Sequence, residues 1–231
     1  MKSRKNTVLK FILDIFYPNR CPCCGDLIKW DKLICGKCHK AINIVYDKTC
    51  KICGKEICIC SEGIFYNGAV VPLRYGDLCR QGILSLKKGN NKNFGEYTGK
   101  LISSIMLSEH NDEQFDFIIP VPMSRTSMRS RGYNQAEVIS SEISDALNIP
   151  LRNDILYKKD TSSSQHFLGR AARFKNISAI KINHINLKGK SIIICDDVIT
   201  TGSTVNRCAG LLKSAGAEKV FLAASAQSKM K

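Results

Sequence analysis

The chain has 231 residues, 44% of them apolar, with a formal net charge of +15 and twelve cysteines. That length holds one large domain or two small ones, and the apolar content is ordinary for a globular protein. The charge turns attention to nucleic acid, acidic lipid or a polyphosphate ligand. The cysteines occur mostly as close pairs, which suits metal ligation in a reducing cytoplasm better than a disulfide framework.

In chain order, Lys2, Arg4 and Lys5 precede an apolar stretch over residues 8–17. It has the outline of a signal peptide, but Lys10 and Asp14 interrupt it and no small-residue cleavage site follows. It is also far too short to span a bilayer, and no other transmembrane candidate occurs. Leu9, Ile12, Ile15 and Phe16 recur at helical spacing, so an amphipathic docking helix is expected over residues 1–20.

The cysteine pairs come next. Cys21–Cys24, Cys35–Cys38 and Cys50–Cys53 have C-x2-C spacing, and Cys58–Cys60 is tighter. Four thiolates in two such pairs make a closed tetrahedral site for zinc. The expected sets are Cys21, Cys24, Cys35 and Cys38 for one ion, and Cys50, Cys53, Cys58 and Cys60 for the other, with Cys23 spare. The spacing also allows an interleaved pairing, and iron–sulfur ligation or a redox dithiol are rival uses of the same thiols. Every candidate ligand is Cys, so the ion is structural, and it folds a segment with little core of its own. His39, beside Cys38, reads as surface. Cys79, Cys195 and Cys208 read as small buried hydrophobes.

Beyond residue 65, strand and helix signals alternate. Strands are expected at residues 65–75, 115–121, 191–195 and 220–224, and helices at 78–86, 97–107, 136–147 and 205–215, the last ending at Gly216. That alternation argues an α/β fold with a parallel doubly wound sheet. The division expected is a helix over 1–20, a zinc-binding module over 21–64 and an α/β domain over 65–231.

The densest signal is Ser191-Ile-Ile-Ile-Cys-Asp-Asp-Val-Ile-Thr-Thr-Gly-Ser-Thr204. An apolar run reads as a buried parallel strand, and the C-terminal ends of such strands are where an α/β sheet places ligand. Asp196 and Asp197 can accept hydrogen bonds from a sugar diol. Thr200, Thr201, Gly202, Ser203 and Thr204 offer hydroxyls and free N–H groups at a helix N-terminus, which suits an anion. Phosphate beside diol describes a phosphorylated ribose. No Lys follows the glycine, so this is not a Walker A loop. At another strand end, Arg125, Arg129 and Arg131 lie in a stretch without acids over residues 119–135, a candidate pyrophosphate seat. Arg170 and Arg173, a helical turn apart, are a candidate pocket cap.

The loop over residues 191–204 resembles the phosphoribosyl-pyrophosphate (PRPP) loop of type I phosphoribosyltransferases. With the cysteine pairs, Arg74-Tyr75, Lys87, the run Arg131-Gly-Tyr-Asn-Gln135 and the Gln165, Arg170, Arg173, Asn176 pattern, nearly the whole chain resembles the ComF/GntX family. Tyr133 stands where that family has Phe, and Lys88 where an aromatic often follows its Lys. The resemblance implies a double zinc ribbon joined to a phosphoribosyltransferase-type sheet. It implies PRPP, or another phosphorylated ribose, bound with Mg²⁺, the acid pair on the ribose hydroxyls and residues 200–204 on the 5′-phosphate. It further implies single-stranded DNA handling in natural transformation, with a competence helicase or other DNA-uptake proteins as partners. An active transferase passing ribose 5-phosphate to an unidentified acceptor is the alternative. Thr200 stands where 6-oxopurine salvage enzymes carry an Asp, which argues against purine salvage. Tyr17, Trp30, Tyr46, Phe65 and Tyr66 are candidates for stacking on bases.

Overall fold

The computed structural model of the chain describes residues 16–88, 91–160 and 177–228. Of the helix expected over residues 1–20, residues 1–15 lie outside the described residues, while 17–20 are not helical and Arg20 bridges Leu27; Arg170 and Arg173 lie outside them entirely.

Among the described residues the strands are β1 (Gly68–Val70), β2 (Leu73–Arg74), β3 (Phe117–Pro120), β4 (Leu156–Lys158), β5 (Ile180–Ile182), β6 (Ser191–Ile199) and β7 (Lys219–Gln227). The helices are α1 (Gly36–Ala41), α2 (Asp77–Lys87), α3 (Asn93–Glu109), α4 (Arg125–Arg131), α5 (Gln135–Leu147) and α6 (Ser203–Ser214). The main sheet runs β1-β7-β6-β3, with β2 also on β7, and every pairing in it is parallel.

Ile192, Ile193, Ile194 and Cys195 are all fully buried, because β6 lies inside the sheet with both faces covered. The period of two splits them. Ile192 and Ile194 pack with Val205, Cys208 and Leu212 of α6. Ile193 and Cys195 pack with Ile102 and Met106 of α3 and Ile139 and Ile143 of α5. So α5, which follows β3, covers one face, and α6, which follows β6, covers the other. Between these neighbouring strands the chain leaves in opposite directions, and a crevice opens at their C-terminal ends.

The strand expected over 65–75 is instead two pieces on β7, with Gly68 opposite Phe221 and Leu73 opposite Ala226. Pro72 lies between them, and it has no N–H to give the ladder. Its carbonyl accepts from Val45 N–H at 2.8 Å, and Lys51 O accepts from Ala69 N–H at 2.7 Å. With an Ile44–Leu73 bridge, the cysteine-rich segment thus covers the open edge of β1 and β2. The small antiparallel pair β4–β5 was not expected. Three-residue strands are too short to show a period. Cys79, Cys195 and Cys208 are buried, and Gly216, at φ +100°, follows the end of α6. The stretch over 119–135, where the sequence predicts no helix, holds α4, capped by Ser124 Oγ, which accepts from Ser127 N–H, and closed by Gly132 at φ +79°.

Gly82 of α2 packs directly on Phe94 of α3, where a Cβ would stand 2.6 Å from the ring Cγ and closer still to Cδ2 and Cε2. In an open helix Gly→Ala stabilises, but here Gly82→Ala should destabilise by about 1–2 kcal/mol, since overpacking outweighs helix propensity. A lowered urea midpoint checks this, and a raised one contradicts the packing.

Candidate functional site

The acid pair lies near the end of β6. The main-chain N–H of Asp197 donates to Asp196 Oδ1 at 2.8 Å, which orients the Asp196 carboxylate. Lys87, from the last turn of α2, reaches Asp197 Oδ2 at 2.7 Å. Both acids line a cavity of about 300 Å³ together with Lys87, Arg131, Lys158 and Thr204. One edge of Asp196 faces that cavity while the rest is enclosed. Burial, then the neighbouring charge of Asp197, pushes its carboxyl from 3.8 up to about 8. Burial likewise lowers the Lys158 ammonium.

Residues 200–204 turn from β6 into α6. Gly202, at φ +78°, is the N-cap, a conformation that suits glycine and leaves the first N–H groups of α6 facing outward. Thr201 Oγ1 and Ser203 Oγ lie 2.8 Å apart. A narrow recess lined by Asp196, Thr200, Gly202, Ser203 and Thr204 joins the loop to the first of the acids.

Of the three arginines, the structure brings only Arg131 to the acid pair. In α4, Arg125 and Arg129 share a face at i, i+4, and Arg131 points elsewhere. Arg131 donates to Gln135 Oε1 at 3.2 Å. Arg125 is exposed beside a different cavity, its N–H donating to Asp160 Oδ1 at 3.0 Å, and Arg129 is exposed. A pyrophosphate seat built from all three is therefore not assembled here.

Several lining residues escaped the sequence reasoning as site residues. Lys87 was noted only through resemblance. Asn134 caps α5 through Ala136 N–H at 3.1 Å and donates to Val121 O at 2.9 Å, fixing the turn out of β3. Gln135 is 3% exposed and lines the cavity, and its Nε2 has no partner among the described residues. An Asn just ahead of a periodic apolar run was the available signal for this corner.

Two groups of four cysteines are assembled: Cys21, Cys24, Cys35 and Cys38, and Cys50, Cys53, Cys58 and Cys60, the sulfurs of each within 4.8 Å of one another. A tetrahedral zinc with bonds of about 2.3 Å puts its sulfurs about 3.8 Å apart. Cys24 and Cys35 are at 3.8 Å, Cys50 and Cys60 at 3.7 Å, and Cys53 and Cys58 at 4.0 Å, so both sets fit that ion. Burial raises the Cys21 thiol, but N–H groups of Cys35, Cys23 and Cys24 outweigh it and bring it down to about 7. Burial pushes Cys23, outside the set, up to about 12. His39 is exposed, with Nδ1 3.1 Å from the Tyr97 hydroxyl. Tyr46 and Tyr66 are buried packing residues and cannot stack on bases, whereas Tyr17 and Phe65 are exposed and Trp30 is half-buried.

Residues 98–231 match the phosphoribosyl transferase domain family, and residues 12–81 match the double zinc ribbon domain. The chain belongs to the phosphoribosyl transferase domain family, in its ComF/GntX form. Competence protein F of Haemophilus influenzae is 35% identical to this ComF-type chain over 106 residues, 45% of this chain and 46% of that protein. DNA utilization protein YhgH of Escherichia coli K12 is 31% identical over 105 residues, again 46% of each. The matched stretch thus spans about half of these curated relatives. A purine phosphoribosyltransferase structure from Pyrococcus horikoshii superposes with TM-score 0.37 at 19% identity, covering 57% of this chain and 74% of that one. A score that low leaves the fold assignment to the family match and the sheet. No helix among the described residues is long and apolar enough to cross a membrane.

Two outcomes follow from this geometry. Metal analysis of the reduced ComF-type chain should find two zinc ions per chain, one for each cluster, and one after Cys53→Ser. The second concerns Asp196, whose folded-state value of about 8 lies above its ordinary 3.8. Between those values the folded chain keeps a proton that the unfolded chain has lost, so this group removes stability as pH rises. Asp196→Asn should therefore raise the thermal midpoint, with a gain near zero at about pH 4 that grows toward about pH 8. A gain independent of pH would contradict the enclosed acid.

Proposed function

We propose that this ComF-type protein binds a 5-phosphorylated ribose, PRPP, at the end of β6 as part of single-stranded DNA handling in the cytoplasm. The observation that supports the reading is the convergence of Asp196, Asp197, Arg131 and Thr204 on one cavity at the sheet's switch point. The carboxylates receive the ribose diol, and the loop over 200–204 receives the 5′-phosphate through N–H and hydroxyl groups. Lys87 and Arg131 offer the positive charge that a pyrophosphate needs. Asp197, and Asp196 once it gives up its proton, are hard oxygen donors of the kind Mg²⁺ takes, and a bound Mg²⁺ would supply neutralisation of the pyrophosphate. The charge of +15 and the relatives named for competence and DNA utilization support the nucleic-acid side.

Transfer of the ribose phosphate to an acceptor is the second reading. Three cations around one cavity, Lys87, Arg131 and Lys158, favour it, because charge builds on a departing pyrophosphate.

Calorimetry of PRPP with Mg²⁺ should show binding that Asp197→Asn weakens at least about tenfold, the usual cost of a lost charged hydrogen bond. Unchanged affinity would remove the ribose assignment. The same titration with a single-stranded oligonucleotide should give binding that falls steeply with salt. Pyrophosphate release in the presence of an acceptor would establish transfer.

A further inference from the structure

The second cysteine cluster lies against the phosphate loop, and one side chain makes the decisive contact. Lys55 sits between Cys53 and Cys58, in the loop that joins the two halves of that cluster. It is 1% exposed. An ammonium so deeply enclosed is costly unless its donors are met. Two of the three are met by main chain: Thr200 O at 2.8 Å and Ser228 O at 2.5 Å. Lys55 is itself held from the cluster side, because its carbonyl accepts from Cys50 N–H at 2.9 Å.

The rest of the contact is equally close. Gly54, at φ +70°, lies where a Cβ would stand 3.1 Å from the Ala69 Cβ. A Cβ on Gly202 would stand 3.5 Å from Ile59 Cδ1, and the Tyr66 hydroxyl donates to Cys53 O at 3.3 Å. Glu56 accepts from Arg74 Nε at 2.8 Å and from Gln227 Nε2 at 2.5 Å. The loop over 54–56 is thereby pinned to the ends of β2 and β7 and to the segment that follows β6.

The Thr200 carbonyl belongs to the same peptide unit as the Thr201 N–H. A cation on that carbonyl fixes the plane of the peptide and polarises its N–H toward an anion. We propose that Lys55 is a positioning residue of the phosphate loop, which makes the second ribbon a working part of the site for a phosphate monoester. The first ribbon has no such contact among the described residues. Metal in the second cluster then governs the order of residues 200–204, and metal in the first does not. The binding arm of this inference rests on the ribose-phosphate reading, while its structural arm does not.

The test uses the reduced, zinc-loaded full chain. In Lys55→Met, zinc content and far-ultraviolet circular dichroism should stay at wild-type values. Amide exchange in residues 200–204 should quicken about tenfold while Ile192–Ile194 stay protected. Affinity for ribose 5-phosphate should fall about tenfold. Lys55→Gln, which keeps a donor, should fall between. Asp197→Asn should weaken binding and leave exchange in the loop unchanged. In parallel, Cys58→Ser should quicken exchange in 200–204, and Cys24→Ser should not. A folded Lys55→Met with unaltered exchange overturns the proposal, as does an equal effect of the two cysteine changes, which also decide the matter if Lys55→Met does not fold. Failure of the wild-type chain to bind ribose 5-phosphate would overturn the ribose-phosphate reading, and the exchange measurements would still judge Lys55.

Discussion

Two carboxylates held side by side at the end of a buried strand set the terms for everything around them. β6 is covered on both faces, so Asp196 and Asp197 emerge from apolar surroundings straight into a small cavity. Like charges that close resist joint ionisation, and burial adds to the cost. The protein answers with Lys87 on one acid and a main-chain N–H on the other. Such an arrangement is poor as a scaffold, and hydrogen-bond donors or a cation arriving in the cavity would stabilise the ionised pair.

The second organising element is the cysteine-rich segment. It does not stand apart from the sheet. It hydrogen-bonds the free edge of β1 and β2, and Cys53 and Ile59 share a core with Ile192, Ile194 and Val205. A short segment with little core of its own thus gains one from its neighbour, and it offers the neighbour protection of an exposed edge in return.

Much of the fold was legible because its signals are long. The four-residue apolar run of β6 and the helical periods of α3, α5 and α6 announce themselves; the structure lengthens β6 and α3 by about a turn or a few residues and moves the ends of α5 and α6 by one or two. What escaped was short or non-local. β4 and β5 carry three residues each, and α4 is a capped helix of about two turns hidden among prolines and arginines. The acid pair and its loop are contiguous in sequence and could be read together. Lys87, Lys158 and Gln135 reach the same cavity from three separate elements, and only their assembly in space shows it. The arginines illustrate the limit well: composition singled out three, and helical geometry turns just one inward.

The pairing of β1 with β7 has a bearing on how the chain is made. Gly68 meets Phe221, so a strand near the beginning waits for one near the end of the described residues. Until β7 emerges from the ribosome, β1 has no strand partner and β6 has only β3, so Ile192–Ile194 stand with one edge unsatisfied. Contacts that distant in sequence slow closure, and an incomplete parallel sheet is prone to association. The cysteine-rich segment precedes β1 in the chain and hydrogen-bonds one of its edges, so the edge left waiting is the one that β7 fills.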